Sequence, residues 1–135
     1  MPHHAEGPFE VKTIPMSPDE ITTGIAISRF SLDKQYHGAL EATAKGEMLT
    51  SGSPQSGTAG YVAMEEVSGS LDGLHGSFAL QHWGTMHDGK FDLRVEVVPG
   101  SGLGQLAGIA GTLTITIAPG GKHTYALDYT LPQTK

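Results

Sequence analysis

Apolar and polar residues alternate in short stretches along most of the chain, and glycine or proline separates one stretch from the next. In GSFALQH, residues 76–82, the side chains of Phe78, Leu80 and His82 are two positions apart and therefore share one face of an extended strand. The chain contains 19 glycines and 8 prolines, which supply turns between such strands. The pattern predicts an all-β protein.

A helix has one candidate position in the sequence, the segment SPDEIT. Ser17 can cap a helix there, Pro18 can take the first helical position and Glu20 can complete a capping box. We expect a single helical turn. The polar residues 1–8, which include two adjacent histidines, predict a flexible terminus, and a mobile end holds no fixed geometry for a metal ion.

Turn signals determine which residues lie opposite each other on neighbouring strands. A four-residue turn at 72–75 pairs Glu65 with His82, and Asp88 with Gly89 gives a two-residue hairpin turn. The segment APGGK fits a five-residue loop between two further strands. These turns place apolar residues on one face, whose members are Tyr61, Glu65, Val67, Phe78, Leu80, His82, Leu93, Val95, Val97, Leu113, Ile115, Tyr125, Leu127 and Tyr129.

Successive strands joined by short turns, each with one apolar face, close most simply into a barrel, because closure removes the exposed edges of an open sheet. No linker or change of composition marks a boundary within the chain. We therefore predict one domain over residues 1–135, a meander β-barrel of about eight strands. A β-sandwich is the alternative.

Composition and charge narrow the classes of partner. A net charge of −6 with no basic stripe argues against nucleic acid, and no run reaches the roughly 18 apolar residues of a membrane span. The absence of cysteine excludes disulfides and thiolate sites, and suits a cytoplasmic location. His82 and His87 are five apart, hence on opposite faces of a strand, so we expect no metal site, and no motif indicates another cofactor.

Glu65 and His82 are two ionisable groups on an otherwise apolar face, and they are the candidate catalytic residues. Burial raises the pKa of a carboxyl group and lowers that of an imidazole, whereas the attraction between the two charged groups opposes both shifts. The pair can therefore share a proton and act as acid or base. The alternative is a core histidine held by a carboxylate, without chemistry.

Other inward-facing residues are candidates for ligand contact. The hydroxyls of Tyr61, Tyr125 and Tyr129 can orient a ligand oxygen, and Phe78 and Leu80 can supply apolar contacts. Lys34, in the segment SLDKQYHG, is expected at a turn near the barrel mouth, with its amine in solvent.

Three blocks, DKQYHGALEATAKGEML, AGYVAMEEVSGSLDGLHGSFALQH and VVPGSGLGQLAGIAGTLTI, closely resemble a family of small bacterial proteins of unknown function, whose fold is similar to the allene oxide cyclase barrel. The motifs at 34–40, 60–63 and 100–111 more distantly resemble the plant cyclases, and the last also resembles dirigent proteins. The resemblance implies a closed barrel with an apolar cavity, often oligomeric. The plant cyclases use a first-strand glutamate, whereas alternation with Phe9 and Val11 can point Glu10 outward.

The sequence thus leads us to expect a small hydrophobic ligand in the barrel, and leaves open whether the protein is an enzyme. One hypothesis is a cofactor-free isomerase or cyclase, with Glu65 as base or charge stabiliser and His82 as its proton partner. A second is a binding or carrier barrel without chemistry. A third is a structural homo-oligomer with a filled core, joined through Met64 and Trp83 on the outer face.

Overall fold

A computed structural model describes residues 2–15, 27–53, 58–88 and 90–132, which form nine β-strands. The helical turn predicted within SPDEIT lies outside the described residues. None of the described elements is a helix long and apolar enough to cross a membrane. The strands are β1 His3–Pro15, β2 Ile27–Tyr36, β3 Leu40–Ser53, β4 Thr58–Leu71, β5 Leu74–His87, β6 Lys90–Val97, β7 Leu103–Gly104, β8 Ala110–Ile117 and β9 His123–Thr130.

Eight of the strands close into an antiparallel barrel, in the order β1-β2-β3-β4-β5-β6-β8-β9, with β9 pairing back to β1. The short β7 pairs with β5 and is the one extra strand. The predicted all-β barrel is confirmed, and the β-sandwich alternative is wrong. The expected flexible terminus at residues 1–8 is also wrong in large part, because β1 begins at His3, which lies opposite Tyr129, and Ala5 is buried in the core.

The turn between β4 and β5 corrects the predicted register. It consists of two residues, Asp72 and Gly73, with φ of 49° and 84°, and both positive values fit a type I′ hairpin. The predicted four-residue turn at 72–75 is therefore wrong, and His82 lies opposite Ala63, not opposite Glu65. Because the error is two residues, every side chain keeps its predicted face.

The other two predicted registers are confirmed. Across the turn after β5, Met86 lies opposite Phe91, and across the loop after β8, Ile115 lies opposite Tyr125. The inward-facing side chains form one core inside the barrel, with Phe78, Leu80 and Tyr125 among its fully buried members. Glu10 faces outward, since its side chain is 78% exposed.

One seam of the barrel is weakly closed. Among the described residues, β6 and β8 share a single paired position, Glu96 with Thr112. At the far end of this seam Phe91 and Ile117 lie in the inward-facing series of their strands, yet they are 57% and 62% exposed. The barrel is therefore least complete between β6 and β8.

Candidate functional site

Two basic side chains and one acidic side chain are buried together inside the barrel: Lys34 on β2, His82 on β5 and Glu65 on β4. Oε2 of Glu65 lies 2.7 Å from Nζ of Lys34 and 2.6 Å from Nε2 of His82. Oε1 of the same carboxylate accepts a hydrogen bond from the hydroxyl of Tyr36 at 2.5 Å. We call these four side chains the polar cluster. Among the described residues, no buried side-chain nitrogen or oxygen lacks a hydrogen-bond partner.

Small residues on β3 bring Lys34 and Glu65 together across an intervening strand. Lys34 lies opposite Ala44, and Glu65 lies opposite Gly46. A Cβ added to Gly46 would stand 1.9 Å from the backbone oxygen of Met64 and 2.7 Å from the Cα of Glu65. β3 therefore contributes almost no side chain at this level, and the long chain of Lys34 fills the space.

The position of Lys34 corrects the expectation that its amine is solvated near a turn, because the residue is 5% exposed. The sequence did contain a signal for this. Lys34 is two positions from Leu32 and two from Tyr36, both of which face inward, so strict alternation places it in the interior. A buried lysine requires a partner, and Glu65 was already predicted on the inner face.

The charges of the polar cluster determine its protonation. Burial by itself raises the pKa of Glu65, but the hydrogen bond from His82 and the charge of Lys34 outweigh it and lower that pKa to about 2. Burial and the nearby Glu65 charge raise the pKa of Tyr36 well above its usual value. At neutral pH Glu65 is thus a carboxylate that accepts three hydrogen bonds, which makes it a poor base and a good charge stabiliser.

A pocket of about 410 Å³ opens at the end of the barrel where β1, β3 and β5 finish and β2, β4 and β6 begin. Its walls are mainly apolar and include Phe30, Met48, Tyr61, Gly84, Met86 and Phe91. The hydroxyl of Tyr61 lies 3.4 Å from Nδ1 of His82, a long hydrogen bond. Burial and the Glu65 charge raise the pKa of Tyr61 to about 12, so its phenol stays protonated at neutral pH.

The other predicted ligand-binding residues do not line this pocket. Tyr125 accepts a hydrogen bond from the backbone N–H of Leu40 at 2.8 Å and donates to the carbonyl of His37 at 2.8 Å. Tyr129 donates to the carboxylate of Asp72 in the β4–β5 turn. Phe78 and Leu80, 1% and 0% exposed, belong to the packed core. Of the predicted site residues, the structure brings together Tyr61, Glu65 and His82.

Within the described residues, no group of three or more His, Cys, Asp or Glu side chains is arranged to hold a metal ion. Three histidines outside the core, His4, His37 and His87, lie instead in ion pairs with carboxylates. His4 bridges Asp128 and Glu6, and its pKa is raised chiefly by the hydrogen bond to Asp128. These pairs lie on the outer surface of the barrel.

Comparison with known proteins identifies the family. The family model described as "Protein of unknown function (DUF3224)" matches residues 5–129. The chain belongs to the DUF3224 family. A crystal structure of a DUF3224 protein of unknown function from Shewanella oneidensis MR-1 is 40% identical, covers 99% of this chain and 100% of its own, and superposes with a TM-score of 0.88. No curated protein matches the chain. The predicted membership of a bacterial family of unknown function is confirmed.

Proposed function

We propose that this DUF3224 protein binds a small, mainly apolar molecule in the pocket at the open end of its barrel, with Tyr61 as the main polar contact. The volume of about 410 Å³ lies within the roughly 300–1,000 Å³ typical of small-molecule sites. Phe30, Met48, Met86 and Phe91 supply apolar walls that fit such a ligand.

The observation that carries the proposal is the place of Tyr61. It lines the pocket and its hydroxyl forms a hydrogen bond with the polar cluster, at Nδ1 of His82. A packed apolar core would stabilise the barrel about as well as the buried group of Lys34, Glu65 and His82 does. The position of this buried group directly behind a pocket therefore favours a role in the pocket, as is common for titratable groups with shifted pKa values.

Catalysis is a second candidate, and the orientation of His82 favours it. Glu65 accepts from Nε2 of His82, which leaves Nδ1 as the nitrogen that faces Tyr61. A proton removed from one atom of a substrate can pass through this Tyr61–His82 pair and return to another atom of the same molecule, so an isomerisation needs no cofactor. Glu65 would stabilise the charge that forms on His82, in the manner of an orienting carboxylate.

Two measurements test binding. Native mass spectrometry of the purified protein, followed by denaturing extraction, detects a co-purifying ligand. An isomerase converts that molecule into an isomer, whereas a carrier releases it unchanged. Titration with the uncharged fluorescent probe N-phenyl-1-naphthylamine tests the pocket directly. Met48→Trp, which fills the pocket, should abolish saturable binding, whereas Leu49→Trp, at the next position and facing outward, should not. Equal binding by both variants would contradict the proposal.

The expected homo-oligomer and cytoplasmic location remain part of the proposal. Met64 and Trp83 lie on the outer face of the sheet, 50% and 46% exposed, and an apolar contact between copies would cover them. Analytical ultracentrifugation of wild type and Trp83→Lys tests the first point, because a dimer or trimer held by this face should dissociate. Cell fractionation tests the second.

A further inference from the structure

We infer that the pocket selects an uncharged apolar molecule bearing a hydroxyl group, an alcohol or a phenol, whose O–H donates a hydrogen bond to the oxygen of Tyr61. The inference rests on the proposed function and adds the chemical class of the ligand. It follows from the direction of the hydrogen bonds that connect Glu65, His82 and Tyr61.

The carboxylate of Glu65 determines which group donates in each of these hydrogen bonds. This carboxylate carries no proton and can only accept hydrogen bonds. The ammonium of Lys34 and the hydroxyl of Tyr36 donate to it, and Nε2 of His82, 2.6 Å from Oε2, must therefore be a protonated nitrogen. In the neutral imidazole ring, a proton on Nε2 makes Nδ1 an acceptor.

The hydrogen bond between His82 and Tyr61 determines what Tyr61 can offer to a ligand in the pocket. The hydroxyl of Tyr61 lies 3.4 Å from Nδ1 of His82, so the phenolic hydrogen is directed to that nitrogen. The oxygen of Tyr61 then has only lone pairs left to offer to a ligand in the pocket. A ligand hydroxyl can donate to it, whereas a ketone, an ether or an ester places two acceptors against each other.

The lining of the pocket selects for an uncharged ligand. Among the described residues that line it, none is an Asp, Glu, Lys, Arg or His. Lys34, the nearest buried cation, already pairs with Glu65, so a ligand carboxylate would lose its water without gaining a counter-ion. Four further lining residues carry hydroxyls, which rotate to donate or accept and do not discriminate: Thr13, Ser28, Thr50 and Thr85.

Displacement of N-phenyl-1-naphthylamine by three probes of one skeleton tests the inference. We expect 2-naphthol to bind about three- to tenfold more tightly than 2-methoxynaphthalene, the effect of one hydrogen bond, and 2-naphthoate to bind most weakly. Tyr61→Phe should weaken the binding of 2-naphthol selectively, so that the difference between naphthol and its methyl ether disappears. Tyr125→Phe, the same change at a tyrosine that does not line the pocket, should leave the difference intact.

The outcomes separate the two proposals. If no probe binds, including the fluorescent one, the proposed function fails and the inference fails with it. If naphthol and its methyl ether bind equally to the wild type, or if Tyr61→Phe keeps the preference, the inference alone is overturned. A direct check is the ¹⁵N NMR spectrum of His82, which should show a ring protonated at Nε2 and not at Nδ1. A proton on Nδ1, in either a neutral or a doubly protonated ring, would overturn the inference.

Discussion

Replacing Lys34 with methionine removes the buried ammonium and keeps most of the volume of the side chain. Glu65, whose side chain is 0% exposed, would then rely on His82 and Tyr36 alone. Breaking a buried ion pair from one side costs about 3–5 kcal/mol, because it leaves an uncompensated charge away from water. We expect a loss near the lower end, about 3 kcal/mol, since two donors remain.

The lowered pKa of Glu65 shows that its partners together favour the carboxylate. A pKa lowered from 4.5 to about 2 corresponds to about 3 kcal/mol of preferential stabilisation of the carboxylate, to which the hydrogen bond from His82 and the charge of Lys34 both contribute, so the loss of Lys34 alone removes part of it. Domains of this kind are stable by about 5–15 kcal/mol, so Lys34→Met should still fold but with a clearly reduced free energy of unfolding. With a urea dependence of about 1–3 kcal/mol per molar, the unfolding midpoint should fall by at least about 1 M.

Urea unfolding at pH 7, followed by circular dichroism, measures this loss. Lys45→Met on the outer face of β3 is the matched control and should change the free energy of unfolding by less than about 0.5 kcal/mol. The double variant Lys34→Met with Glu65→Met removes both charges, and it should be more stable than Lys34→Met alone. A loss no larger than that of the control, or a double variant with the sum of both single losses, would refute the reasoning.

Four further predictions follow from the same structure. Because the pKa of Glu65 is lower in the folded protein than its usual 4.5, its contribution to stability is complete above about pH 4.5 and decreases as the pH falls towards about 2. The free energy of unfolding, measured by urea titration, should therefore fall with pH across this range, and Glu65→Gln should reduce that slope. Gly46→Ala should destabilise by about 1–3 kcal/mol, since its Cβ meets backbone atoms, whereas Gly60→Ala, with its nearest atom at 3.8 Å, should be nearly neutral in thermal unfolding. Tyr36→Phe removes one of the three donors to Glu65 and should cost about 1–3 kcal/mol by urea unfolding, and a cost below 0.5 kcal/mol, on the order of a surface change, would contradict it. Amide protons of β6 and β8 that face their common seam should exchange faster than those of β8 that face β9, as measured by NMR, and equal protection would show that the seam is closed.

Alternation in the sequence was sufficient to assign the inner face. Side chains in a strand repeat every two residues, so the pattern places Glu65 and His82 inside even though the turn between their strands was assigned the wrong length. The Asp-Gly signal that predicts the turn after β5 also occurs at Asp72 and Gly73, where it marks the two-residue turn between β4 and β5. The predicted order of strands follows from the short turns between neighbours, and the predicted closure from the exposed edges that an open sheet would leave.

Alternation does not specify depth along the barrel or contacts between strands that are not adjacent. Tyr61 and Tyr125 both face inward in the sequence pattern, but only the register around the closed barrel places Tyr61 at the open end and Tyr125 in the packed interior. The same holds for the ion pair between Lys34 and Glu65, which joins β2 to β4 across the small residues of β3.

The sequence by itself determined the all-β class, the barrel and the residues of its inner face, because these depend on local periodicity and short turns. Tertiary structure decided that Lys34 completes the polar cluster, that a pocket remains above it and that Tyr61 connects the two. These features depend on how side-chain volumes from several strands add up at one level of the barrel. A residue's spacing along its own strand carries no information about that sum.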